Sequence, residues 1–191
     1  ILGSGTYGNG NDINFYQGKI RLYSSNGGDV VIANHQSQKN VWTHYAVVRE
    51  SGEMKIYVNG ELDIAVASDW SETFIIDEIA SGVPFGGLNG EMDELRIWSV
   101  ARSQSEINSG RTTTINSSLL GLERYYQFDG GILDVTGYSD EVPIPNSAQL
   151  VESTAPIQSG GNLAPVAVDD FATVTQGSTN HLHILDNDYD L

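Results

Sequence analysis

Carboxylates at alternate positions give the first candidate chemistry. Glu91 and Asp93 lie two residues apart, so a strand there would place both on one face. Many glycosidases add a third carboxylate to such a run, because one acid must attack the sugar while another donates a proton. The third position falls here on Leu95 or Arg96. The set is incomplete, and the sequence predicts a protein that is not an enzyme.

Oxygen ligands for a metal ion form the second candidate. Asp186, Asp188 and Asp190 follow one another at every second residue. Carboxylate oxygens in one short segment suit Ca²⁺, which binds six to eight oxygens, better than a transition metal. The alternative is a solvated acidic loop that binds no ion.

Aromatic side chains form the third candidate, since their faces stack on sugar rings while neighbouring polar groups bond to hydroxyls. Trp42, Tyr57 and Trp70 are the predicted ligand-binding residues. Trp70 lies in a polar run at residues 68–71, which is typical of a loop. The alternative for each is a place in the hydrophobic core.

The composition excludes several partners. Nine Lys and Arg face 25 Asp and Glu, which gives a net charge of −16. We therefore expect no nucleic acid partner and no direct membrane insertion, because phosphate binding needs clustered cations and no apolar run is long enough to span a bilayer. The chain has no cysteine, which excludes disulfides and thiol chemistry.

Short strands between Gly and Asn turns must position these residues. Alternating apolar and polar residues predict strands at 19–24, 41–50, 54–58, 62–67 and 92–98. Asn59-Gly60 is a preferred hairpin loop because both residues tolerate positive φ, so a three-stranded meander is expected. Ser103 and Glu106 fit a capping box that starts one short helix. The pattern predicts an all-β, antiparallel sandwich or jelly roll with this helix.

The charge pattern divides the chain. All nine basic residues lie at or before Arg124, whereas residues 125–191 carry ten acids. A stretch rich in Gly, Ser and Pro follows, which is typical of a linker. The predicted division is a sandwich at 1–153, a linker at 154–164 and the start of another module at 165–191.

Two segments resemble a known family. Residues 41–49 with 55–62 resemble the "W-T-H … Y-V-N-G" hairpin of laminin-G-like domains, which are concanavalin A-like and related to pentraxins. Residues 88–98 and 101–107 resemble that family's "G-x-I-D-E-V-R-I-W … A-R-S-x-x-E-I" segment. The resemblance implies a concanavalin A-like sandwich. The family's usual opening strands have no counterpart before Gly3, so we expect either that the sequence is truncated there or that residues 125–152 supply strands in their place.

The tail resembles another family. Residues 162–170 and 184–190 are similar to the opening of cadherin-like and Ig-like repeats in large bacterial adhesins. That resemblance implies Ca²⁺ at module junctions, held by the tail aspartates Asp169, Asp170, Asp186, Asp188 and Asp190. The laminin-G-like resemblance implies a further Ca²⁺ at the sheet rim, for which Asp12 and Asp77 are the candidates.

Together these resemblances imply a non-catalytic binding or adhesion module of a large extracellular bacterial surface protein. We expect it to recognise a glycan or a cell-surface protein with the help of Ca²⁺, beside neighbouring modules of the same chain. Two alternatives remain open. In the first, the domain is an accessory carbohydrate-binding module of a secreted polysaccharide-degrading enzyme. In the second, it is a structural spacer.

Overall fold

The structure, a computed structural model, describes residues 2–3, 10–76, 78–80, 88–137 and 149–158. Within these residues ten strands form three antiparallel sheets, and one helix accompanies them. The strands are β1 (Leu2–Gly3), β2 (Asn11–Tyr16), β3 (Lys19–Ser24), β4 (Gly28–Ile32), β5 (Tyr45–Glu50), β6 (Glu53–Val58), β7 (Glu61–Ala67), β8 (Glu78–Ile79), β9 (Leu95–Trp98) and β10 (Leu122–Tyr126), and the helix is α1 (Gln104–Gly110).

The largest sheet has the strand order β4-β3-β2-β1-β8. Its β2–β3 hairpin turns at Gln17 and Gly18, whose φ angles are 50° and 77°. Along β3 the side chains alternate strictly between buried and partly exposed. This period of two means that Ile20 and Leu22 face the core while Arg21 and Tyr23 lie on the opposite, outer face.

The predicted meander is confirmed as the sheet β5-β6-β7. Its second hairpin turns at Asn59 and Gly60, with φ angles of 51° and 84°. The strand expected to begin at Val41 begins instead at Tyr45. The backbone of His44 bonds to Asn59, and Trp42 bonds to another part of the chain, so the residues before Tyr45 do not pair in the sheet.

The main core lies between these two sheets. Ile20, Leu22 and Val31 from one sheet pack against Met54 and Ile56 from the other. The alternation predicted at 54–58 is therefore confirmed, since Met54, Ile56 and Val58 share the face directed towards this core. Each such side chain contributes about 1.5–3 kcal/mol by leaving water, so this contact is the main force that joins the sheets.

The third sheet pairs β9 with β10 and lies next to the helix in sequence. The predicted capping box is confirmed, since Ser103 and Glu106 bond to each other's backbone N–H. Ile107 of α1 packs against Val48 and Tyr57, which anchors the helix to the meander. The strand predicted at 92–98 begins at Leu95, because Glu94 has a φ of 52° and interrupts the extended conformation.

The predicted all-β architecture with one short helix is thus confirmed over the described residues. The module predicted at 165–191 lies outside them. No helix among the described residues has the length and apolar character that a membrane span requires.

Candidate functional site

A buried arginine organises the site beside β9. Arg96 Nη1 donates to the carbonyl of Gly110 at 2.7 Å, and Nη2 donates to the carbonyl of Thr113 and to Glu94. The side chains of Arg96 and Glu94 are only 13% and 8% exposed. These bonds tie the end of α1 to the start of β9, so the loop after the helix is held in place.

Glu94 completes this network from an unusual backbone conformation. Its positive φ directs the carboxylate inward, where Tyr125 Oη donates to it at 2.5 Å. Burial raises the pKa of Glu94, although the bonds from Tyr125 and Arg96 oppose that shift. Burial also raises the pKa of Tyr125, and its bond to Glu94 adds to the rise. Strained and buried titratable groups of this kind are concentrated at functional sites.

A cavity of about 220 Å³ adjoins this network. Its polar wall consists of carboxylates and hydroxyls, and its apolar wall consists of two aliphatic side chains. It is lined by Asp93, Glu94, Thr114, Asp129, Ser153, Ala155 and Ile157. Because β9 and β10 are antiparallel, the residues just before β9 and just after β10 meet at one end of their sheet. This pairing brings Asp93 and Asp129 into one cavity although 36 residues separate them.

The closing wall comes from residues 149–158, which we call the C-terminal strap. Ser153 Oγ donates to Asp93 Oδ2 at 2.5 Å, and Trp42 Nε1 donates to Thr154 Oγ1 at 3.0 Å. Gln158 then bonds through its backbone to Thr112 and Thr114 at 2.7 and 3.1 Å. The first residues of the segment predicted as a linker are therefore bonded to the sandwich.

The charges in the cavity are unevenly compensated. Arg96 pairs with Glu94, whereas Asp93 accepts its bonds from the Glu94 N–H at 2.9 Å and from Ser153. Among the described residues, neither Asp93 nor Asp129 forms an ion pair with a lysine or arginine. The described ranges also contain no group of three or more His, Cys, Asp or Glu that could hold a metal ion. The cavity therefore presents carboxylate oxygens that have no cationic partner among the described residues.

His44 is a further titratable group that is affected by the charge of Arg96. Its ring is largely buried, and its Nδ1 has no partner among the described residues. Burial, together with the positive charges of Arg96 and Arg111, lowers the pKa of His44 to about 4. The imidazole is thus neutral at physiological pH.

The three predicted aromatic ligands have separate environments. Trp42 uses its N–H to hold the strap, so it supports the cavity wall. Tyr57 is only 7% exposed and packs beneath α1, so the core accounts for its ring without a ligand. Trp70 packs on the main core, with the Arg49 guanidinium carbon 5.1 Å from its ring centroid. The structure does not bring the three rings into one site.

Of the seven predicted metal ligands, the structure describes one. Asp12 lies on the outer face of β2, opposite Tyr23. The other six are Asp77, Asp169, Asp170, Asp186, Asp188 and Asp190, and they lie outside the described residues. A strand through Glu91 and Asp93 would place both carboxylates on one face. Both residues precede β9 and share no strand, so the structure does not form that arrangement.

Sequence reasoning assigned no ligand-binding role to Asp129 or Ser153. Asp129 gave no signal, because only the pairing of β9 with β10 brings it to Asp93. Ser153 gave none, because only the return of the strap brings it to Asp93.

Known proteins resemble this chain over part of its length. No curated protein matches it. A solved structure of a proposed carbohydrate binding protein from Bacteroides ovatus is 27% identical with a TM-score of 0.52, and the match covers 62% of this chain and 38% of that one. An S-layer domain-containing protein from Clostridium thermocellum is 22% identical with a TM-score of 0.31, covering 56% of this chain and 58% of that one. The chain thus spans less than two thirds of either structure.

A family model matches residues 3–108, which is more than half of the chain. The match includes the meander, β9 and most of α1, which are the elements that place Asp93, Glu94 and Arg96. The chain belongs to the Laminin_G_3 family of the concanavalin A-like lectin/glucanases superfamily.

Proposed function

We propose that this chain is a non-catalytic carbohydrate-binding module whose cavity holds one sugar unit of a glycan. Two findings support the proposal. The superfamily is described as lectins and glucanases, and the Bacteroides ovatus structure is that of a proposed carbohydrate binding protein.

The observation that carries the proposal is the lining of the cavity. Asp93 and Asp129 offer carboxylate oxygens that accept bonds from sugar hydroxyls, while Ala155 and Ile157 form an apolar wall for the C–H face of a ring. A carboxylate accepts such charge-assisted bonds strongly, and each contributes about 1.5–3 kcal/mol.

The arrangement of Glu94 supports a binding role over catalysis. A glycosidase needs a carboxylic acid that is free to donate a proton to the leaving group. Glu94 has a raised pKa, but its Oε2 already accepts bonds from Arg96 and Tyr125. We therefore expect no release of reducing sugar from any polysaccharide that the chain binds.

The setting of the module is also a proposal. We place it in a large extracellular bacterial surface protein, where neighbouring modules extend the chain and Ca²⁺ stiffens their junctions. An accessory role in a secreted polysaccharide-degrading enzyme is the second candidate, favoured because the superfamily includes glucanases. The parent polypeptide distinguishes the two, since further adhesin-like repeats favour the first and a catalytic domain favours the second.

The direct test is a glycan array followed by calorimetric titration with the best hit, using Asp129→Asn. Loss of one charged acceptor is expected to weaken binding about tenfold to a hundredfold. Asp69→Asn is the matched control, because Asp69 is exposed and outside the cavity lining.

The outcomes separate the alternatives. If Asp129→Asn binds the glycan with wild-type affinity and Asp69→Asn binds it more weakly, the glycan site lies in the loop of Trp70 and not in the cavity. No reproducible glycan hit, with or without Ca²⁺, would leave the spacer as the better explanation.

A further inference from the structure

The outer face of the β4-β3-β2-β1-β8 sheet carries aromatic and cationic side chains in one row. Lys19, Arg21 and Tyr23 alternate with buried residues along β3, so they share the face directed away from the core. In the β2–β3 register Tyr16 lies opposite Lys19, and Asn14 lies opposite Arg21. Tyr16, Arg21 and Tyr23 therefore follow one another along the strands, and we call them the tyrosine–arginine row.

Arg21 is fixed at the centre of this row. Its Nε donates to Asn14 Oδ1 at 2.9 Å, and its Nη1 donates to Asp29 Oδ1 at 2.5 Å. Its guanidinium carbon lies 4.3 Å from the Tyr16 ring centroid and 4.8 Å from the Tyr23 ring centroid. Both rings thus rest against a planar group that is itself clamped, and their orientations are set before any ligand arrives.

We propose that the tyrosine–arginine row is a second glycan contact, on which an uncharged polysaccharide chain lies along β3. The proposal rests on the carbohydrate-binding function proposed above, but it concerns a surface other than the cavity. The cavity takes one sugar unit, whereas the row takes the flat faces of sugars within a longer chain.

The charges of the row indicate an uncharged partner. Asp29 neutralises Arg21 in an ion pair whose side chains are 35% and 16% exposed. A neutral chain that covers this pair leaves it intact, whereas an acidic chain would compete with Asp29 and be repelled by it. Rings that are already oriented also lose little conformational freedom on binding, which favours a sugar-stacking surface.

The length of the row indicates a polymer. The ring centroids of Tyr16 and Tyr23 lie 4.3 and 4.8 Å from the same guanidinium carbon of Arg21, so the two rings are at most about 9 Å apart. One sugar ring covers about one aromatic ring, so a ligand that touches both tyrosines contains more than one sugar. Tyr16 is 46% exposed at the end of the row, where such a chain can enter.

The test is affinity electrophoresis of the full chain through gels that contain one polysaccharide each. The probes are β-1,3-glucan, β-1,4-glucan, xylan and mannan, with polygalacturonate as the acidic comparison. Tyr16→Ala and Tyr23→Ala are expected to weaken retention on a neutral polymer about threefold to tenfold each. Tyr16→Phe and Tyr23→Phe keep the rings and are expected to retain most of the binding.

Matched measurements keep folding and site separate. Leu120→Ala removes a side chain that is 93% exposed outside the row, and it should bind as the wild type does. Urea denaturation of every variant shows whether a loss of polysaccharide binding is caused by a loss of folded structure. Asp129→Asn is expected to lose binding to short oligosaccharides, while the row variants lose it only for long chains.

Three results would overturn the proposal. The first is that the double variant Tyr16→Ala/Tyr23→Ala is retained like the wild type while Asp129→Asn is retained less. The row would then have no part in glycan binding, and the cavity would be the glycan site. A change of oligomeric state in the row variants, seen by sedimentation, would assign the face to a second copy of the chain. No retention of the wild type on any polymer would refute the proposed function, and the row with it.

Discussion

His44 should make the stability of this domain depend on pH. Unfolded, its imidazole titrates near pH 6.5, whereas burial and the nearby arginines lower the folded pKa to about 4. Between these values the unfolded chain binds a proton that the folded chain does not, so stability falls as the pH falls. The full shift corresponds to about 3 kcal/mol, of which about 2 kcal/mol is lost between pH 8 and pH 5.

The assay is urea denaturation followed by tryptophan fluorescence at pH 8, 6.5 and 5. His44→Gln removes the titrating ring, so the variant should lose about 2 kcal/mol less than the wild type over that range. The comparison is necessary because the 25 acidic residues also titrate, and their contribution is common to both chains. His44→Asn should repeat the result with a shorter side chain. Parallel pH curves for wild type and both variants would refute the assignment of a neutral, buried imidazole.

Three further predictions concern stability. Tyr125→Phe should cost about 1–3 kcal/mol in denaturation experiments, because it removes one of the two side-chain hydrogen bonds to the buried Glu94 carboxylate; an unchanged midpoint would contradict this network. Ser103→Ala should cost about 1 kcal/mol by removing the helix cap, and a wild-type unfolding curve would show that α1 needs none. Thermal unfolding in CaCl₂ should have a higher midpoint than in EDTA if the predicted aspartates bind Ca²⁺. Coincident curves would count against the calcium prediction.

The sequence predicted the local elements well because their signals are local. Asn59-Gly60 fixes a hairpin through two adjacent φ angles, and Ser103 with Glu106 forms a cap within four residues. The start of β9 was predicted three residues too early, since alternation continues through Glu94 while its backbone does not. In that conformation Glu94 bonds to the nearby Arg96 and to the distant Tyr125, and the second contact has no local sequence signal.

The candidate cavity could not be predicted, because it depends on contacts between distant segments. Asp93 meets Asp129 through the β9–β10 pairing, and it meets Ser153 only through the return of the strap. Neither contact has a periodic pattern. The aromatic ligand predictions relied on residue type alone. Residue type does not distinguish Tyr57, which is in the core, from Tyr16, which is on the surface.

The strap also sets the order in which the domain can become functional during synthesis. Domains begin to fold from the N-terminal side as the chain is made. The sheets that form the core are complete once β10 has been made at Tyr126, but Ser153, Ala155 and Ile157 are made about 30 residues later. The nascent domain can therefore form its core before its cavity is closed. A chain released before the strap is complete would have the folded core but would lack the cavity wall that the strap provides.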